Sequence, residues 1–369
     1  MALPEWMQGD QRIRHVEHRP AAPGVSLPFP EWVSGDVRAA LRARGISTLW
    51  SHQATAAEAL FAGRHVAIGT GTASGKSLAY LLPIIAATSE GRLGWEVEAS
   101  RNRLTLPARE HTALYLAPTK ALAHDQLRVT TDLDLPGWKV SALDGDSDPA
   151  ERRFAREFAH LIFSNPDMLH RSVLPNHQRW APLLSSLRFV VIDEAHRYRG
   201  LFGAHVSAVL RRLRRLCRHY GSDPVFLAAS ATIAEPASLL ATLAGVGPVV
   251  AVTEDASARP ELDFVLWQPS AEPHREAADL AARLFEAEQQ ALVFTSSRVQ
   301  AELVADRLRR LVAEPNRVAA YRAGYLADDR REIEHGLNTG RLRTVACTNA
   351  LELGVDISGM DAVITVGFP

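Results

Sequence analysis

An α/β fold with two parallel-sheet domains in tandem is what the sequence predicts, on three observations. Short apolar runs of strand length alternate with helical patterns along most of the chain. The small, hydroxylated or charged residues with chemical capability follow those runs directly, at the carboxyl ends of parallel strands, where open α/β sheets bind ligands. The rhythm breaks over Thr253 to Pro273, where Pro260, Pro269 and Pro273 intervene, and then resumes. A chain of 369 residues has room for about two domains with their own cores. The expected division is a proline-rich lead-in over 1–33, a first domain over 34–252, a crossing over 253–273 and a second domain over 274–369.

Composition narrows the class further. Hydrophobic residues make up 47% and charged residues 22%, as in ordinary globular proteins, and the formal net charge is -1. Any nucleic-acid binding must therefore come from a local surface. Two cysteines, Cys217 and Cys347, can build neither a disulfide framework nor a four-cysteine zinc site, so a reducing cytoplasm is expected. The longest apolar run, Leu78 to Ala87, is interrupted by Pro83 and too short to span a bilayer, so no membrane association is expected.

Pro20, Pro23, Pro28 and Pro30 suit an extended lead-in. Ser34 can cap a helix through Val37, Ala40 and Leu41 that ends near Gly45. Leu49 to Gln53 opens a helix, and the Gln53 amide offers the donor and acceptor that an adenine edge requires; taken alone an ordinary polar helix position is the simpler explanation, and its place just ahead of the next loop is what raises the functional one. Strand Val66-Ala67-Ile68 then runs into Gly69-Thr70-Gly71-Thr72-Ala73-Ser74-Gly75-Lys76-Ser77 and a helix. Strand, small-residue loop and helix make a phosphate-binding loop: backbone N–H groups turn inward, the helix N-terminus adds positive charge, Lys76 serves the β/γ oxygens and Ser77 a Mg²⁺ ion. Thr70 departs from the strict pattern by standing at the first glycine position.

Residues 89–111 read as a polar surface insertion. Strand Ala113 to Ala117 delivers Pro118, Thr119 and Lys120, residue types suited to phosphodiester contact or to a plain strand-to-helix turn. Asp144-Gly145-Asp146 is a turn, and strand His160 to Phe163 ends at Ser164 and Asn165, which can donate to a nucleic-acid backbone. Strand Leu187 to Ile192 ends in Asp193-Glu194-Ala195-His196. Adjacent carboxylates at the tip of a buried strand are costly unless used, and Mg²⁺ would use Asp193 and an attacking water Glu194. The helix from Ala204 to His219 carries five arginines, more simply a solvated face than a DNA contact. Strand Val225 to Ala229 ends at Ser230-Ala231-Thr232. Beyond the crossing, strand Ala291 to Phe294 ends at Thr295, Val318 to Tyr321 is a further strand, strand Thr344 to Cys347 ends at Thr348, and Ala362 to Val366 is the last strand.

Together and in this order, these motifs resemble those of superfamily 2 DExH-box helicases, from about Trp50 to Pro369. The combination Thr72 to Ser77, Asp144 to Asp146, Ser164 to Met168 and Asn349 to Asp356 is similar to the YprA-like branch of bacterial DNA helicases. The resemblance implies two RecA-like domains with ATP between them and Gln53 reading the adenine. It implies that Thr70, Gly71, Thr72, Ala73, Ser74, Gly75, Lys76 and Ser77 hold the phosphates, and that His196, Ser230, Thr232, Gly354 and Asp356 couple hydrolysis to domain closure. Pro118, Thr119, Lys120, Ser164, Asn165, Thr295 and Thr348 would face a strand's phosphates, and the implied partner is single-stranded or tailed DNA, moved 3′ to 5′, in repair. No Gln-x-x-Gly-Arg-x-Gly-Arg stretch and no four-cysteine element occur, so the chain is expected to stop inside its second RecA-like domain. An ATP- and nucleic-acid-binding module with little turnover, and an RNA helicase, stand as the other readings.

Overall fold

The computed structural model describes residues 3–72, 74–89, 111–231, 233–351 and 359–367. After β1 (Ile13–Arg19) come β2 (Ser26–Leu27), α1 (Gly35–Arg42), β3 (Leu49–Trp50), α2 (Ser51–Phe61), β4 (His65–Gly69), α3 (Lys76–Ser89), β5 (Thr112–Leu116), α4 (Lys120–Thr131), β6 (Val140–Ala142), α5 (Pro149–Glu157), β7 (Leu161–Ser164) and α6 (Pro166–Met168). There follow α7 (Ala181–Ser186), β8 (Leu187–Ile192), α8 (Gly200–His219), β9 (Val225–Ser230), α9 (Pro236–Ala244) and β10 (Val249–Val252). Then come β11 (Leu262–Trp267), α10 (Pro273–Glu286), β12 (Ala291–Phe294), α11 (Arg298–Leu311), β13 (Val318–Tyr321), α12 (Ala327–Asn338), β14 (Thr344–Cys347) and β15 (Ala362–Thr365). Among the described residues no helix is long and apolar enough to cross a membrane.

The chain divides into two compact units, Ala22–Arg259 and the combination of Met1–Ala21 with Pro260–Pro369. In the first, a parallel sheet runs in the order β10-β4-β9-β8-β5-β7-β6. Its strands read as unbroken apolar runs because both faces are covered. Val66, Ile68, Tyr115, Phe163 and Val191 face α1 to α4, while Ala67, Leu114, Ile162, Val190 and Phe226 face α5 to α9. The register matters most for function. Gly69 pairs with Ser230, and Leu116 pairs with both Ile192 and Ser164, so five motifs leave the sheet along one edge.

The second unit holds a parallel sheet in the order β13-β14-β12-β15. Phe294 pairs with Cys347 and Cys347 with Tyr321, which sets Thr295 and Thr348 at one edge. The expected pair of parallel sheets is present. The expected boundaries, however, differ from these units. Residues 13–19 form β1, paired antiparallel with β11 inside the expected crossing. Glu276 explains that grouping. Its buried carboxylate, near the start of α10, accepts from Arg12 Nη1 (2.8 Å), Trp267 Nε1 (2.9 Å) and the backbone of Ser270 (2.9 Å) and Ala271 (3.2 Å). Both strands of the ribbon are thereby tied, at the end where Ile13 pairs with Trp267, to one helix.

Candidate nucleotide and nucleic-acid sites

The phosphate loop joins the carboxyl end of β4 to the first turn of α3. Thr70, at the position a strict pattern gives to glycine, is buried, and its hydroxyl bonds the Ser74 hydroxyl across the base of the loop at 2.7 Å. Gly75 adopts φ +73°, a left-handed conformation that favours glycine, and a Cβ there would lie 2.3 Å from Gln53 Nε2 and displace that amide from the loop. Gln53 is committed to the loop: Nε2 donates to the Gly75 carbonyl at 2.9 Å, and Oε1 accepts the Trp50 N–H at 2.8 Å. Lys76 Nζ donates to the carbonyls of Thr70 (3.2 Å) and Gly71 (2.5 Å). Burial lowers the Lys76 pKa, against the upward pull of Asp193, Glu194 and Asp255.

Two residues not anticipated from sequence hold this loop. His52 Nδ1 lies 3.2 Å from the Ala256 N–H as its acceptor, which leaves Nε2–H to donate to the Ser74 carbonyl at 2.9 Å. Burial holds the His52 pKa down, in keeping with that neutral tautomer. Asp255 Oδ2 accepts the Gly71 N–H at 3.2 Å, while Oδ1 accepts from the backbone N–H (3.0 Å) and hydroxyl (2.6 Å) of Ser257. Asp255 lies 184 residues beyond Gly71, and only the pairing of β10 beside β4 brings the two together.

Asp193 and Glu194 leave the end of β8. The Asp193 N–H donates to the Leu116 carbonyl at 2.9 Å, pinning the residue to the neighbouring strand. Its carboxylate accepts a very short bond from the Tyr115 hydroxyl and the Glu194 N–H at 2.8 Å. Burial, joined by the charge of Glu194, still raises the Asp193 pKa. Glu194 has φ +49°, an uncommon conformation for a residue with a side chain and a form of strain that concentrates at functional sites. Burial raises its pKa too, opposed by Lys76 and Arg197. His196 Nδ1 lies 3.3 Å from Glu194 Oε2 and 3.1 Å from the Ser230 hydroxyl at the end of β9. Burial, then Arg197 and Arg199, lower the His196 pKa and favour its neutral form.

The donor set fits a Mg²⁺ ion: the Ser77 hydroxyl and Asp193 carboxylate are hard oxygen ligands, which that ion takes together with water and phosphate oxygens. Gln126, also unanticipated, accepts from Ser77 Oγ and from the Tyr80 hydroxyl, both at 3.2 Å. The Tyr80 ring packs 5.8 Å from that of Tyr115, which donates to Asp193, so buried polar groups connect the two expected ligands.

The expected strand-facing residues are placed more variously. Thr119 caps α4, its Oγ1 accepting the Leu122 N–H at 3.3 Å, and Pro118 beside it is half-buried. Lys120 is exposed and pairs with Asp146 at 2.8 Å. The Ser164 hydroxyl is buried and donates to the Leu143 carbonyl at 2.6 Å, and Asn165 caps α6 by accepting the Met168 N–H at 2.9 Å. In the second unit Thr295 Oγ1 donates to the Ser297 (3.2 Å) and Cys347 (3.3 Å) carbonyls, and Thr348 Oγ1 accepts the Ala350 N–H at 3.4 Å. The arginines of α8 largely brace the fold: Arg211 and Arg214 donate to carbonyls at the end of α9, and Arg212 to that of Leu174. Thr72 is exposed at the loop's tip. Ala73, Thr232, Gly354, Asp356 and most of the expected insertion lie outside the described residues.

Comparison with known proteins agrees with this layout. Residues 50–240 match the DEAD/DEAH box helicase family and residues 276–369 the helicase conserved C-terminal domain. The chain is 39% identical to the uncharacterized ATP-dependent helicase YprA of Bacillus subtilis, over 98% of this chain and 48% of that protein. It is likewise 39% identical to the ATP-dependent helicase HRQ1 of Saccharomyces cerevisiae, over 87% of this chain and 30% of that one. The crystal structure of the DUF1998 helicase MrfA bound to DNA and AMPPNP superposes with a TM-score of 0.87 at 36% identity, covering 98% of this chain and 50% of that chain. The chain thus spans about half or less of the length of these relatives. The phosphate loop, the paired carboxylates and the ordered strand ends are those of superfamily 2, and the chain belongs to its DEAD/DEAH box helicases, in the YprA/MrfA-like group.

Proposed function

We propose that this chain is the ATP-hydrolysing core of a DNA helicase or translocase. The observation that carries the proposal is the edge of the seven-stranded sheet, where β4, β8 and β9 deliver Lys76, Ser77, Asp193, Glu194, His196 and Ser230 side by side. Lys76 and the N–H groups from Thr70 to Ser77 receive the phosphates, and Gln53 sits against that loop where it can also read the adenine edge. Ser77 and Asp193 hold Mg²⁺, which when bound neutralises charge on the β/γ oxygens. Glu194, with its raised pKa, orients a water and takes its proton as that water attacks the γ-phosphorus, while the bond from the γ-phosphorus to the β,γ-bridging oxygen breaks and ADP leaves with that electron pair. His196, between Glu194 and Ser230, passes the state of the site to the end of β9; that Thr232, Gly354 and Asp356 extend that coupling rests on the family resemblance.

The DNA- and AMPPNP-bound relatives support DNA, rather than RNA, as the strand and ATP as the nucleotide. Pro118, Thr119, Lys120, Ser164, Asn165, Thr295 and Thr348 are proposed to line its path, chiefly through backbone N–H groups where their hydroxyls are already bonded. Movement 3′ to 5′ and a part in repair rest on the family resemblance. The buried thiol of Cys217 is in keeping with a reducing cytoplasm. The test compares ATP turnover with and without single-stranded DNA or RNA, in these 369 residues and in a longer form of the protein. DNA-stimulated turnover is the expected result. Nucleotide and DNA binding without turnover in both forms would leave a binding module instead.

A further inference from the structure

A groove of about 430 Å³ opens between two helices that leave the carboxyl ends of β7 and β8, the strands on either side of β5. One wall is the turn of α6 and the residues after it, with Pro166, His170 and Arg171; the other is α8, with Phe202, His205 and Arg212. Val206 and Val209 make an apolar floor. Phe202 is 45% exposed, unusual for so large an apolar side chain. Its ring stacks on that of Tyr198, centroids 5.4 Å apart, and its remaining surface lines the groove. Among the charged lining groups, Arg171 and Arg212 oppose the single carboxylate of Asp167, so the groove is net positive, and Arg212 Nη2 donates to the Leu174 carbonyl at 3.2 Å.

We infer that this groove seats one unpaired base of the nucleic-acid strand, stacked on Phe202, with Arg171 and Arg212 taking the flanking phosphates. A cationic rim around one exposed aromatic face matches that chemistry: a base gains from stacking whatever its identity, and its backbone gains from the arginines. Asn165, among the proposed phosphate contacts, adjoins Pro166 in the chain, and Thr119 follows β5 between the two walls, so the groove continues the proposed path. The inference rests on the nucleic-acid reading above and adds to it a base contact.

The test uses fluorescence anisotropy with a labelled single-stranded DNA and an abasic strand of equal length, at matched salt. Phe202→Ala is expected to weaken binding of the base-bearing strand about tenfold, the order of one base–aromatic stack, and to leave the abasic strand unchanged. Phe202→Trp is expected to restore it. Arg171→Gln is expected to weaken both strands alike and to reduce the salt slope by about one. If the wild-type chain binds the strand and Phe202→Ala binds it as tightly, or weakens both strands equally, the base seat is wrong while the nucleic-acid reading stands. A wild-type chain without affinity for either strand overturns both.

Discussion

Two carboxylates, half-buried Glu194 in the first unit and buried Glu276 in the second, have opposite surroundings. Glu276 is met by donors from Arg12, Trp267, Ser270 and Ala271, and although burial pushes its pKa up, those bonds hold it below the ordinary glutamate value. Glu194 sits in a left-handed backbone conformation with His196 beside one oxygen, and burial leaves its pKa raised. A buried acid saturated with donors has nothing left to offer a substrate and serves the fold. One left short of donors costs stability and keeps its proton affinity, as a general base requires.

Matched substitutions test that contrast. Glu194→Gln is expected to lower DNA-stimulated ATP turnover in the longer form of the protein by about 10² to 10⁴. Nucleotide affinity and melting temperature should stay near wild type. Unchanged turnover would remove Glu194 from the chemistry. Glu276→Gln keeps the shape but gives up the charge that holds Arg12, and should cost the second unit about 1 to 3 kcal/mol in denaturant unfolding, with turnover nearly unaffected at a temperature where it stays folded. A Glu276 variant with full stability and lost turnover would reverse the assignment. Between the two lies Tyr115→Phe. Without that hydroxyl the already raised Asp193 pKa should climb further, and about tenfold more Mg²⁺ should be needed for half-maximal nucleotide binding.

What the sequence made legible follows the same division. Asp193 and Glu194 were readable because they follow an apolar strand directly, and Lys76 and Ser77 because the small-residue loop that leads to them does, so chain order alone places them at the sheet's edge. Tyr115, Gln126, His52 and Asp255 were not. Tyr115 reads as one more core aromatic in an apolar strand, and only the pairing of Leu116 with Ile192 shows that its hydroxyl reaches the neighbouring strand's end. The β1–β11 ribbon escaped for the same reason, since the pairing of Arg19 with Leu262 crosses most of the chain and leaves no local pattern. Ser164 illustrates the converse: its place after a strand invites a surface role, yet the pairing of β6 with β7 brings the Leu143 carbonyl within reach of its hydroxyl.

Acid separates the two glutamates without mutation. Turnover needs Glu194 ionised, and its raised pKa puts the acid limb of the rate profile above the ordinary glutamate value of about 4.3. Glu276, with a lowered folded pKa, contributes stability that is present above the unfolded pKa and lost as pH falls through the folded one, below that value. As pH is lowered, turnover should fail first and the second unit's structure later. A rate profile whose acid limb coincides with unfolding by circular dichroism would contradict the difference.

Asp255 is the sharpest case, because it stands at the nucleotide edge yet is surrounded like Glu276. Burial pushes its pKa up, but bonds from Ser257 and Gly71 outweigh it and leave the carboxyl below its ordinary value. By the contrast drawn above it should shape the loop and take no part in proton transfer. Asp255→Asn retains an oxygen for the Gly71 N–H and removes a negative charge beside a loop that receives a polyphosphate. Nucleotide affinity in the mutant is expected to rise by about threefold at low salt, less at high salt, with turnover at saturating ATP unchanged. Asp255→Ala, which gives up the bond to Gly71 as well, should forfeit that gain. If Asp255→Asn lowered turnover as Glu194→Gln is expected to, donor saturation would not distinguish a structural acid from a chemical one at this edge.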